Sequence, residues 1–303
     1  MKHSLKYARL ALAVATCLPL TLSAHRQWIL PSATVLSGTG KWVTVDAAVS
    51  NDIFYFEHFP MKLDNLVVTA PDGTSVKPEN PSTGRYRSTF DVELKQSGTY
   101  RISVVGNTVM ASWEENGETK RWRGTPEKFE TEVPKDAKNL QVSRMQSRVE
   151  TFVTSNKPSP LKTIGQGLEL SPITHPSDLV TGEEAKFALL LNGKPAPNLE
   201  ITLIPAGIRY RDKLEEIKVK TDADGKFAVK FTLPGIYWLN ATYQEGGSPR
   251  RQEPSGAGEG WQAAGQAAGE RPQRGPGGPG GPGGRMPSGN RSNYVATIEV
   301  MTQ

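Results

Sequence analysis

The chain has 303 residues, with 36 Lys or Arg against 31 Asp or Glu and a formal net charge of +5 at pH 7. So even a balance does not mark a nucleic-acid-binding protein. The length is comfortable for two domains and too great for one small sandwich. Cys17 is the only cysteine, so any disulfide or thiolate site is excluded from the rest of the chain.

The first 24 residues read as a secretory leader. Lys2, Lys6 and Arg9 form a positive front, Leu10 to Leu22 an apolar run, and Leu22-Ser23-Ala24 a small-residue cleavage site. Val14-Ala15-Thr16-Cys17 loosely resembles a lipoprotein box, but Thr16 suits that box poorly. The leader predicts an exported, periplasmic protein that begins at His25 and does not itself span the membrane, since no later run reaches the roughly 18–20 apolar residues of a spanning helix. Cys17 and three basic residues leave with the leader. An N-terminal His25 carries an α-amine and an imidazole that together chelate one ion, a half-site suited to copper or nickel.

Beyond the leader the patterning is all-β. Lys41 to Val49 alternates with period two; Leu66 to Ala70 precedes a Pro71-Asp72-Gly73 turn; Tyr86, Ser88, Phe90, Val92 and Leu94 share a face; and Thr99 to Val105 follows Ser97-Gly98. Thr125 to Asn139 is charged and holds Pro126 and Pro134, which predicts a short helix or an extended arm. Val142 to Val153 alternates less cleanly. Asn156-Lys157-Pro158-Ser159-Pro160 reads as a linker, dividing an N-terminal sandwich (25–155) from a C-terminal one (156–303).

In the second half, strands are expected at Leu168 to Leu170, Glu184 to Leu191, Pro197 to Pro205, Glu216 to Thr221, Lys226 to Phe231 and Ile236 to Tyr243. Thr221-Asp222-Ala223-Asp224-Gly225 starts like a calcium loop but lacks the downstream bidentate Glu, so it reads as a hairpin. This order of turns resembles prealbumin-like and immunoglobulin-like modules over about 80 residues, a likeness that speaks to fold and not to function. The 246–290 segment is low-complexity, built around the Gly275–Gly284 Gly/Pro run with Arg250, Arg251, Arg271, Arg274, Arg285 and Arg291 about it, and reads as disordered. Because Tyr294 to Val300 must pair with Tyr237 to Tyr243 to close a sandwich, that segment is a long hairpin tip inside the second domain. The expected fold is therefore two antiparallel immunoglobulin-like or prealbumin-like β-sandwiches.

Serine hydrolase, phosphate-loop and zinc-protease signatures are absent, which argues against enzymes of those classes. The candidate metal ligands are His25, His58, His175 and Met61. His58 sits in Phe54-Tyr55-Phe56-Glu57-His58-Phe59-Pro60-Met61, where alternation sets Phe54, Phe56 and His58 opposite Tyr55, Glu57 and Phe59. Aromatic shelter suits a metal site, and the Met61 thioether favours reduced copper. His175, between Thr174 and Pro176, opens the second domain. Asp46, Asp52 and Glu57 are the oxygen candidates. Each histidine also has a plain structural explanation, as a core or loop residue whose nitrogens bond to backbone.

Ala24-His25-Arg26-Gln27-Trp28-Ile29-Leu30-Pro31-Ser32 after an export signal, with the Asn51 to Met61 segment and Val67 to Gly73, resembles the exported NikM-like family of unknown function. Members of that family are often described as the periplasmic component of cobalt or nickel ABC transport. The resemblance covers most of residues 24 to 245, implies a transition-metal ligand (Cu, Ni or Co) at His25 and His58, and does not extend to the Gly-rich insertion. Two readings stand side by side: a periplasmic protein that captures a transition metal for a membrane or outer-membrane transporter, and a metal-free envelope adaptor that binds another protein by strand addition. A copper oxygenase is a more distant third.

Overall fold

The computed structural model describes residues 25–246 and 289–303. The expected leader and the interior of the low-complexity segment lie outside the described residues. Three sheets build two β-sandwiches, as the patterning predicts. The first sheet orders Arg26–Pro31, Trp42–Ser50, Ser88–Glu93 and Glu79–Thr83, with Phe59–Pro60 also paired to Trp42–Ser50. It faces one half of a ten-stranded sheet that runs Ile217–Lys220, Glu200–Pro205, Gly235–Gln244, Arg291–Val300, Lys138–Ser155, Gly98–Glu115, Leu66–Thr69 and Ser75–Val76, with Glu118–Gly124 also paired to Gly98–Glu115 and Val35–Leu36 to Lys138–Ser155. A smaller sheet of Leu168–Pro172, Glu184–Leu191, Lys194–Pro195 and Lys226–Lys230 covers the other half.

The two sandwiches are fused through the long sheet. Lys138–Ser155 lies antiparallel to Gly98–Glu115 on one flank and parallel to Arg291–Val300 on the other, from Met145 opposite Arg291 to Thr151 opposite Thr297. This position explains the weak alternation between Val142 and Val153. From Arg148 to Ser155 the strand is buried on both faces, Val149 and Val153 in the first core and Phe152 in the second, and a two-sided burial leaves no period-two signature. The cores also trade residues across the expected 155/156 boundary: Ile204, Ile208, Trp238 and Val295 pack with Trp28, Val45, Phe90 and Ile102 in the first.

Residues 156–167 form a bonded strap. The Ser159 hydroxyl accepts from the Thr99 amide at 2.9 Å, and the Lys162 carbonyl accepts from Arg101 Nη1 at 2.9 Å. Gly98 lies under it at φ +135°, where a Cβ would meet Pro71 at 2.5 Å and the Ser159 hydroxyl at 2.8 Å. Only glycine fits both the conformation and the space.

Two local expectations resolve cleanly. Thr125 caps a helix at Pro126–Glu132 that lies on the outer part of the Gly98–Glu115 and Glu118–Gly124 hairpin, with Phe129 against Trp122 at 5.7 Å. The 221–225 turn is a hairpin: Asp222 Oδ1 accepts from the amides of Asp224 and Lys226 at 2.9 and 2.8 Å. Gly235–Gln244 and Arg291–Val300 pair antiparallel along their length, and the Glu245 amide donates to the Asn290 carbonyl at 2.8 Å. The low-complexity segment thus leaves from the tip of a closed hairpin.

Candidate metal centre

The register of the first sheet brings two histidines together. Arg26 pairs with Ser50 on one flank of the Trp42–Ser50 strand, and Phe59 pairs with Val49 on the other. His25 and His58 each stand one residue beyond those pairs, at the same end of the central strand. Their rings meet over that end, with centroids 3.8 Å apart and planes 17° from parallel. Phe59 borders both, at 5.8 Å from His25 and 4.5 Å from His58. His25 is exposed and His58 half-buried, so the pair is open to an ion from solvent.

The segment that carries His58 is a loop rather than the extended run its alternation suggests. Phe54 holds φ +65°, a left-handed conformation costly for a bulky side chain. The turn still sorts its side chains in two directions. Phe54 and Phe56 pack on the buried Trp28, at 5.4 and 5.3 Å, while Tyr55 and Glu57 turn to Arg209. Trp28 Nε1 donates to the Ser50 hydroxyl at 2.8 Å, and that hydroxyl donates to the Asp52 carbonyl.

Arg209 comes from the second half, on the 3₁₀ turn Ile208–Tyr210. It bonds Asp52 at 2.7 Å, pairs with Glu57 and lies 4.1 Å over the Tyr55 ring. The hydrogen bond to Asp52 is the main cause of a raised Arg209 pKa. Burial, then the neighbouring Tyr210 phenol, raises that of Tyr55. Glu57 Oε1 also accepts from the amides of Asn51 and Asp52 at 2.9 and 2.7 Å, so the carboxylate cross-links the loop. On the other side, Trp238 Nε1 donates to the Gln27 carbonyl at 2.9 Å and Arg26 Nη1 to the Asn51 carbonyl at 2.7 Å. Arg209 and Trp238 carry no mark in the sequence, because they act on residues 152 to 211 positions away.

The other candidates sit elsewhere. His175 lies in the loop after Leu168–Pro172, against the boundary strap. Its Nδ1 accepts from the Ser177 amide at 3.1 Å, which leaves the proton on Nε2, facing the Ser159 carbonyl and the Thr99 hydroxyl, each at 3.1 Å. Burial lowers its pKa, so it is held neutral. Both nitrogens are committed, Nε2 to the strap and to Thr99 and Nδ1 to Ser177. Met61 is 5% exposed and packs in the first core. Asp46 pairs with Arg87 at 3.3 Å, and Asp52 and Glu57 with Arg209. No cluster of three or more His, Cys, Asp or Glu suited to an ion occurs among the described residues. A third nitrogen beside the two imidazoles would have to be the His25 amine.

An all-β double sandwich with two stacked histidines at one end of its first sheet is the class of protein that fold and geometry define. The chain belongs to the family described as a domain of unknown function, DUF4198, whose pattern matches residues 22–245. No curated protein matches it. Among solved structures it is similar to a DUF4785 family protein from Legionella pneumophila, at 10% identity and TM-score 0.22, covering 71% of this chain but only 50% of that one. The D0–D1 domains of Intimin match at 12% identity and TM-score 0.19, over 70% of this chain and 88% of theirs. The FN1–FN3 domains of chicken CNTN1 match at 9% identity and TM-score 0.17, over 71% and 91%. At such scores these likenesses carry no functional reading. No helix among the described residues is long and apolar enough to cross a membrane.

Proposed function

We propose that this protein is a non-catalytic, exported metal-capture protein of NikM-like type. It takes a transition-metal ion (nickel, cobalt or copper) through His25 and His58 for delivery to a membrane or outer-membrane transporter. The observation that carries this reading is the contact of the two imidazoles at 3.8 Å. Metal–imidazole bonds run about 2.0–2.1 Å along the in-plane nitrogen lone pair, so the stacked rings would turn out of parallel to present one nitrogen each to a shared ion. Cleavage after Ala24 would add the His25 amine, giving an all-nitrogen set that suits Cu(II) or Ni(II) better than Zn(II). A soft-ligand site for reduced copper is less well supported, since Met61 is packed in the core.

The test is calorimetric titration of Cu(II) and Ni(II) into a chain that begins at His25. An extra residue ahead of His25 should weaken binding at least about tenfold, because the amine then becomes an amide. The variant His58→Ala should weaken it by a similar factor. Equal affinity in all three proteins would discard the reading and leave the metal-free adaptor in its place.

A further inference from the structure

We propose that the cavity between the boundary strap and the long sheet is a binding site for a small monovalent inorganic anion of the halide class. It is separate from the histidine pair and independent of the metal reading. The cavity measures about 50 Å³ and is lined by Asn107, Gln146, Ser147, Arg148, Ser292 and Asn293, with Gly167 of the strap at its rim. That is well above the about 10–15 Å³ a single water needs.

The polar groups around it are unevenly bonded. Arg148 has a side chain only 9% exposed and Arg101 one 8% exposed, yet both share one carboxylate, Glu150, 1% exposed. Glu150 lies 3.7 Å from Arg148 Nη1 and 3.8 Å from Arg101 Nε, ion-pair distances without a hydrogen bond. Its oxygens accept instead from the Tyr294 phenol at 2.5 Å and the Ser103 hydroxyl at 3.1 Å. Burial, with Glu150 beside it, raises the Tyr294 pKa well above its ordinary value, so the phenol stays neutral and adds no negative charge. The buried Glu169 directs both oxygens to the strap amides of Ile164 and Gly165 at 2.6 and 2.8 Å rather than to a guanidinium.

Arg101 finds other company, donating to the Lys162 carbonyl and lying 5.7 Å over Phe152. Arg148 does not. Its Nε is buried without an acceptor, its Nη1 lies 3.7 Å from Glu150, and the residue borders the cavity. A buried cation with free donors is expensive. An anion beside Arg148, with the Ser147 and Ser292 hydroxyls and the side chains of Asn107 and Gln146 around it, supplies the missing acceptor.

The test uses bromide as the probe. Crystals of the full chain soaked in sodium bromide should show an anomalous peak in this cavity at hydrogen-bonding distance from Arg148. At fixed ionic strength, chloride should raise the Tm over gluconate by about 2–4 °C, the response of a chain this size to roughly 1 kcal/mol of linked binding. Arg148→Met should remove that salt-specific difference. Should it fail to fold, Gln146→Leu, which keeps Arg148 and makes the lining apolar, should reduce it. A cavity holding water alone, bromide found only at the surface, equal Tm in the two salts, or a chloride effect that survives in the folded variant would each overturn the proposal.

Discussion

The indole of Trp238 donates to the backbone carbonyl of Gln27 at 2.9 Å, so a residue of the second sandwich fixes the first strand two positions after His25. The histidine that begins the fold is therefore held by the far half of the chain. The same holds across the site, where Arg209 grips the loop of His58.

Trp238→Phe removes the donor and leaves the Gln27 carbonyl facing a smaller ring in a site where Trp238 is 5% exposed. Lost packing and one unsatisfied acceptor should together cost about 1–3 kcal/mol in urea unfolding. If His25 is a ligand, Cu(II) affinity should fall alongside.

Arg209→Met should behave differently. Arg209 is 43% exposed, against 38% and 27% for Asp52 and Glu57, and exposed pairs contribute only about 0.2–1 kcal/mol. Stability should barely move, while Cu(II) or Ni(II) affinity drops several-fold as the His58 loop loosens. Arg209→Lys should rescue only in part, because an ammonium cannot bridge two carboxylates as the planar guanidinium does. Unchanged affinity in both variants would show that the clamp does not position His58.

His175 and His58 should separate stability from binding. His175→Ala removes bonds to Thr99, Ser159 and Ser177 from a half-buried ring and should cost about 1–3 kcal/mol with metal titrations unchanged. His58→Ala should give the reverse pattern.

The strap should also respond to acid. Burial lowers the His175 pKa below its ordinary value of 6.5, so the unfolded chain takes up the proton first. Its contribution is complete above pH 6.5 and is lost as pH falls from there through the depressed folded value. Chemical denaturation from about pH 8 to about pH 5 should show an acid loss that His175→Asn flattens.

Gly225→Ala tests the hairpin reading of residues 221–225. The glycine has φ +74°, and an added Cβ would lie 2.6 Å from the Leu189 carbonyl oxygen and 2.9 Å from the Ala196 nitrogen. Both contacts are backbone, so the sheet must shift. The expected loss exceeds about 1 kcal/mol, and no calcium dependence should accompany it.

Half of the site is legible in the amino-acid order. His25 is marked by the leader expected ahead of it and His58 by its aromatic neighbours, and the alternation around Tyr55 and Glu57 tells which side chains turn away from Trp28. The turn at Phe54 is not legible, since a left-handed bulky residue has no compositional sign. His175 is legible only as a histidine: its role on the strap depends on Thr99 and Ser159, 76 and 16 positions distant.

Period two, turn residues and the closing strand at Tyr294 determined an all-β chain of two sandwiches with an insertion at a hairpin tip, because these follow from which side chains must leave water. Tertiary structure alone decided that Lys138–Ser155 serves both sandwiches, that His25 and His58 touch, and that Arg148 borders a cavity with its Nε unbonded. Those depend on register and on pairing between distant strands, where a shift of one residue reverses every side chain and leaves composition unchanged.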